Sequence, residues 1–521
     1  MNDKFPFGNP EGARSSLAEL EDSYIPFSES PQQGTFRSTN SDLSVRIIVG
    51  AKGSGKTVYL RRLHAQATVE PSVFASEIET EPLSTESTVA FCSSFREKLL
   101  TEKWSQLWHL AILRSIVSLL CFAKEFTDYV PEELRENLLS YKSFLGLNKA
   151  PVQIYASATY FARLERSSYK ITQILENPLL DEVEYFAAQA LRDTPPIYYF
   201  LDGIDENFRR APMHWLRCQK GLVLRTMQLL RDQRFGGRLH VITTCRDHVL
   251  ASLYRGEHQN RFRGEPHIKL LTWNYRAVEH FLNQKVEQLP AEMFIDSENR
   301  TIASWLGHET IKNGGRSLRE PIGRYLIRHT RLLPRDIVQI GNALAREVVR
   351  ARALREERIG EKVIRRVTAQ AAATFGNEQL DICVSQMRSS AMPAIAGQQG
   401  FSDFYTGDDE FRESEVKQLK ELIRLIGVDE FHSGELEVVK DEARDVFGRN
   451  TDVFSVLWQN RLLGCRRLLG GEERIFFYSE EYLDSFALPD DAISYVFHPC
   501  VIDSVGIKSV VKEPLGSEDF S

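Results

Sequence analysis

Val45 to Thr57 reads VRIIVGAKGSGKT, and this stretch decides the fold. VRIIV is the apolar run of a buried strand. Gly50-Ala51-Lys52-Gly53-Ser54-Gly55-Lys56-Thr57 then matches G-x-x-x-x-G-K-[ST], and KTVYLRRLHAQA from Lys56 has the pattern of an amphipathic helix. The chemistry follows from that order. Glycines let backbone N–H groups converge on a phosphate, and the helix adds its positive N-terminal end. Lys56 neutralises the β and γ oxygens, while the Thr57 hydroxyl ligates magnesium. Gly50, Ala51, Lys52, Gly53, Ser54, Gly55, Lys56, Thr57 and Val58 are therefore candidate nucleotide-binding residues, with ATP and Mg2+ as the expected ligands. A Gly-rich turn without a ligand is the plainer alternative, and the strand and helix on either side argue against it.

Working outward, Pro195 and Pro196 introduce Ile197 to Leu201 (IYYFL), a continuous apolar run that fits a parallel strand buried on both faces. Asp202 ends it, where a carboxylate can hold the magnesium opposite Thr57. In DGIDE, Asp205 and Glu206 are candidates to orient or deprotonate an attacking water, Glu206 slightly favoured; either could instead be an acidic residue at the start of a helix. Leu239 to Thr243 (LHVIT) is a further strand, and Thr243, Thr244 and Arg246 at its end are candidates to sense a γ-phosphate. Arg261 and Arg263 precede a last short strand at His267 to Leu271, from where an arginine could reach a neighbouring subunit's nucleotide in trans; two solvated side chains are the plainer reading.

Composition sets bounds. The 521 residues exceed one compact core, so two or three domains are expected. The apolar fraction of 42% and charged fraction of 26% exclude a largely disordered or fibrous chain. The net charge of −7 confines any nucleic-acid contact to a local patch. Seven scattered cysteines with no CxxC pair argue against a zinc site or disulfide framework and fit a reducing cytoplasm. MNDKFPFGNPEGARSS lacks a secretory h-region, and Trp108 to Ala123, interrupted by Arg114, reads as a buried helix; no membrane association is expected.

The expected organisation is an N-terminal arm over 1–44, an α/β core over 45–275, a helical lid over 276–375, a linker over 376–412 and a C-terminal domain over 413–521. Val89 to Cys92 is expected as a second strand of the core, followed by a helical insertion over about 95–192. Val384 to Glu413 carries linker composition. The last hundred residues read as helices at Glu415–Ile426, Gly434–Phe447 and Asp452–Leu463, then two strands about Gly470 and Gly471, the order of a winged helix.

GAKGSGKT paired with YYFLDGIDE, a TTCR strand end, a helical lid and a winged helix together resemble the STAND and AAA-type P-loop ATPases, and more closely KAP-like bacterial families. That resemblance implies a three-layer P-loop NTPase fold of the ASCE type. It implies hydrolysis of ATP with magnesium, a switching role in antiphage defence or signalling, oligomerisation and an effector partner. It also implies that Pro334 and Arg335, in RHTRLLPRDIVQIGN, contact the nucleotide as lid residues. STAND proteins usually carry glycine two residues before that proline, where this chain has Leu332. A DNA-binding loader of the origin-recognition type is the rival reading, with Arg461, Arg466 and Arg467 near the third helix as its basic patch. A scaffold with a structural nucleotide is another.

Overall fold

The computed structural model describes residues 5–12, 45–95, 99–164, 169–204, 212–254, 262–312, 319–395, 409–447, 452–477 and 487–507. Five parallel strands form the central sheet: β1 (Ile47–Val49), β2 (Phe74–Glu79), β3 (Ile197–Leu201), β4 (Leu239–Cys245) and β5 (Ile268–Leu270), in the order β2-β3-β4-β1-β5. Their side chains alternate between two covered faces. Ile48, Tyr198, Phe200 and Ile242 pack with Leu60 and Leu63 of the helix Lys56–Val69. Ile47 and Val49 pack on the opposite face with Val223, Leu224 and Met227 of the helix Pro212–Arg231. Apolar runs buried on both sides give the parallel, rather than hairpin, arrangement its stability. The molecule is a mixed α/β protein with helices on both faces of this sheet.

The sequence reading misplaced the second strand. Val89 to Cys92 lies in a helix, Thr85–Ser93, whose N-cap Ser84 accepts a hydrogen bond from Ser87 N–H. The second strand is FASEIE at the sheet edge, half-exposed along most of its length, so it lacks a solid apolar run. Between it and β3 lies a helical block built on Leu100–Phe122. That helix is long and apolar enough to cross a membrane, yet 72% of its most apolar window is buried inside the protein. Arg114 in its middle donates to Leu145 O, Gly146 O and Ser157 Oγ, which satisfies the buried charge internally.

Past β5 come the helices Tyr275–Glu287, Ile322–Arg328 and Pro334–Ala353, with a short hairpin of β6 (Thr310–Lys312) and β7 (Arg319–Pro321). The linker expected over 376–412 is a second correction where it is described, because one helix runs from Glu361 to Ile395 and another starts at Asp409; residues 396–408 lie outside the described residues. Leu380, Cys383, Val384 and Met387 are buried on the first of these helices, and a Cβ at Gly376 would sit 2.4 Å from Cys500 O, so only glycine allows the C-terminal segment to lie this close. That face is held by packing, which local composition does not report.

The C-terminal unit contains the helices Asp409–Ile426, Leu436–Phe447, Val453–Gln459 and Pro499–Val505, and a four-stranded sheet in the order β10-β9-β11-β8. Its strands are β8 (Glu430–His432), β9 (Leu463–Leu469), β10 (Glu472–Phe476) and β11 (Ser494–Phe497), antiparallel throughout. The third helix stops at Gln459, short of the expected Leu463, because Leu463 opens β9. One apolar core runs through this unit and the preceding helices. Phe7 of the N-terminal segment joins it, wholly buried, with its N–H on Asn342 Oδ1 at 2.9 Å. The remainder of the expected arm, 13–44, lies outside the described residues.

Candidate functional site

β1 ends between β4 and β5, and the glycine loop starts there, with Gly50 N–H on Cys245 O at 3.2 Å. Trp273 Nε1–H pins Ser54 O at 3.0 Å. Gly53 has φ 94°, a backbone that favours glycine, and a Cβ on it would make a tight 3.0 Å contact with Arg335 Cβ. The following helix Lys56–Val69 has no side-chain N-cap and no acidic residue in its first turn. A helix start without a side-chain cap, with the positive end of its dipole there, favours an anion. Lys56 is buried and its Nζ donates to Gly50 O at 3.0 Å and Ala51 O at 3.2 Å. Ser54 Oγ is buried without a hydrogen-bond partner among the described residues. A cradle of donors with a cation at its mouth suits a polyphosphate.

Register brings the second part of the site alongside. Val49 pairs with Cys245 and Leu201 with Thr243, so the ends of β1 and β3 flank the end of β4. Asp202 is 5% exposed and its Oδ1 accepts from Thr244 Oγ1 at 2.7 Å. Thr243 is wholly buried and its hydroxyl donates to Thr244 O, so of the two threonines Thr244 faces the carboxylate. The buried carboxylate after β3 and the half-buried Thr57, in the first turn of the helix after β1, carry oxygens of the kind magnesium takes. Arg246, also buried, follows β4.

The remaining expected residues divide. Asp205, Glu206 and Arg261 lie outside the described residues. Arg263 is exposed, its guanidinium 5.9 Å from the centre of the Tyr254 ring. Pro334 occupies the first turn of its helix, and Arg335 N–H reaches Gly53 O at 3.3 Å, so the start of this helix abuts the glycine loop. Leu332, two residues earlier, has φ 54°, a left-handed backbone that favours glycine. Arg461 is 7% exposed and donates to Arg331 O at 2.9 Å, while Arg466 is paired with Glu430 at 2.8 Å.

A pocket opens beside Ala51 and Lys52, walled by Arg246 and His248 after β4, Arg331 before the Pro334 helix, Gln379 and Gln386 on the long helix, and Asn460 and Arg461 of the C-terminal unit. Its walls are hydrogen-bonded to one another. Arg331 grips Asp336 through Nη2 at 2.7 Å and Nε at 2.9 Å and also donates to Gln379 Oε1. Gln379 Nε2 donates to Asn460 Oδ1 at 2.5 Å, and Asn460 Nδ2 to Gln386 Oε1 at 2.5 Å. His498 Nε2 sits 2.8 Å from Thr330 O, with burial pulling its pKa down to about 3.

Sequence reasoning missed Trp273, Tyr155, Glu79, Gln379 and Asn460. None stands in a motif, and each meets its partner across 40 residues or more; a buried amide or tyrosine has no local signature. No protein-family model matches the chain, and no curated protein matches its sequence.

Proposed function

We propose that this chain is a magnesium-dependent ATPase that works as a molecular switch, a P-loop NTPase with a helical lid and a C-terminal winged helix. The observation that carries the reading is the pocket in which the glycine loop, the end of β4, the lid helices and the C-terminal unit share one wall. A nucleotide at Gly50–Thr57 stands against all four. Its terminal phosphate would bear on Lys52, Arg246 and, through them, on the Arg331–Gln379–Asn460 chain. Differential contact with two arrangements of these units is what lets a ligand shift their balance.

The residues divide the work. Backbone N–H groups of Gly50–Val58 and Lys56 bind the phosphates, Thr57 and Asp202 hold the magnesium, and Arg246 reads the γ-phosphate. Asp205 or Glu206 acts on the attacking water, and Pro334 and Arg335 close on the nucleotide. Bound magnesium supplies charge neutralisation between the β and γ oxygens. The left-handed backbone at Leu332, where STAND proteins carry glycine, adds support for the lid assignment. By the same resemblance the protein acts in bacterial defence or signalling, as a homo-oligomer and with an effector partner. Arg263, exposed on the surface, is the described residue that such an oligomer would use in trans.

The origin-recognition-like reading draws less support. Val453 to Trp458 of the third winged-helix helix are buried, Arg461 is engaged with Arg331 O, and Arg466 with Glu430. The test is ATP turnover of the parent beside Lys56→Ala and Glu206→Gln, with mass followed by light scattering. Hydrolysis by the parent, its loss in Lys56→Ala and an ATP-trapped assembly in Glu206→Gln are expected. Three inert proteins of identical size would sink the proposal.

A further inference from the structure

Asp202 is held at three atoms. Its N–H donates to Glu79 O at 2.9 Å, its Oδ1 accepts from Thr244, and its carbonyl oxygen accepts from the Tyr155 hydroxyl at 2.9 Å. The first two partners belong to the sheet. Tyr155 belongs to the helical insertion, in the first turn of Ile154–Leu164.

Tyr155 is fixed from behind. Glu79, the last residue of β2, is 4% exposed, and its two carboxylate oxygens accept the N–H groups of Ile154 and Tyr155, each at 2.7 Å. The chain just before is clamped to the helix Leu100–Phe122, since Ser115 Oγ donates to Val152 O and Val152 N–H donates to Ser118 Oγ. The Tyr155 ring lies edge-on to Trp108 of that helix, 6.1 Å between centres. Packing there would be met by phenylalanine; the hydroxyl adds a bond to one backbone atom of Asp202.

We propose that Tyr155 is a positioning residue for Asp202, seated by Glu79, so that the helical insertion governs how tightly the carboxylate at the end of β3 holds magnesium. The inference rests on the reading of Asp202 as the magnesium-binding carboxylate. Outer contacts orient a metal ligand, and loss of one costs metal affinity. A ligand that shifts the insertion would thereby reach the metal site without touching it.

The test is ATP binding by the full chain, titrated with MgCl2, for the parent, Tyr155→Phe and Glu79→Gln, with binding in EDTA and thermal unfolding measured alongside. Tyr155→Phe is expected to raise the half-saturating Mg2+ concentration about threefold to tenfold, the value of one buried hydrogen bond, with unchanged affinity in EDTA. Glu79→Gln keeps one acceptor of two and is expected to shift the titration the same way by less. If the parent binds ATP with magnesium and both variants titrate like it, the positioning role is wrong and the nucleotide reading stands. Should Tyr155→Phe fail to fold, Glu79→Gln decides alone by the same criterion. A parent that binds no ATP at any magnesium concentration overturns the nucleotide reading and the positioning role with it.

Discussion

Asp336 at the root of the helix Pro334–Ala353 and Asp202 at the end of β3 are both buried aspartates near the glycine loop, and their surroundings differ. Asp336 is fully buried and takes a two-pronged grip from Arg331 plus the Arg331 backbone N–H at 3.0 Å. Among the described residues, Asp202 receives one hydroxyl on its carboxylate, from Thr244. The first carboxylate has its charge cancelled in place and holds an interface together. The second keeps acceptor capacity to spare, as the magnesium ligand proposed above must. Burial alone does not distinguish structural from chemical acids; the count and charge of the donors does.

That contrast can be broken most forcefully at Asp336. Asp336→Ala is expected to cost about 3–5 kcal/mol, since it strands the buried Arg331 guanidinium, and urea unfolding reads it directly. Asp202→Asn is expected to leave the unfolding curve nearly unmoved while ATP turnover falls about a hundredfold or more, as several kcal/mol of transition-state charge stabilisation is lost. If the two substitutions had similar effects on stability, the division of labour between the two acids would be wrong.

Asn460→Ala comes next. It leaves Gln379 Nε2 and Gln386 Oε1 without their partner, for an expected loss of about 1–3 kcal/mol, again by urea unfolding. The smallest effect is a pH dependence. His498 has a folded pKa near 3 because it is buried, against an unfolded value near 6.5. The unfolded chain takes up the proton first as pH falls, so the stability His498 contributes is complete above about pH 6.5 and is lost towards pH 3. His498→Gln, which keeps a donor for Thr330 O, is expected to flatten this acid limb by about 1–3 kcal/mol between pH 6.5 and 4. His240 and His214, also buried with lowered pKa values, leave the rest of the slope in place.

The sheet was legible where one side of the pattern was extreme. VRIIV and IYYFL are apolar enough to be buried on both faces, and the glycines between strand and helix mark the loop. FASEIE escaped because an edge strand is half-exposed and mixes polar with apolar residues. The stretch from Val384 looked like a linker because small and polar residues there hide a buried face, whose Gln386 meets Asn460 across 74 residues. The places of Lys56, Thr57 and Asp202, each just past a strand end, could be read from spacing, because strand, loop and helix follow one another locally. Tyr155, Gln379 and Asn460 could not, because a long-range hydrogen bond is visible only once the fold has brought its two ends together.

On the reading proposed above, a nucleotide on the glycine loop governs the buried junction between the helices Pro334–Ala353 and Glu361–Ile395 and the C-terminal unit. Hydrogen exchange of the segments Gln379–Met387 and Val453–Arg461, compared without nucleotide, with ATP and magnesium, and in Lys56→Ala under both conditions, tests it most directly. A change of protection in both segments on adding ATP and magnesium, absent in Lys56→Ala, is the expected result. Identical exchange in all four samples, with ATP shown to be bound to the parent, would mean that the nucleotide does not act on this junction.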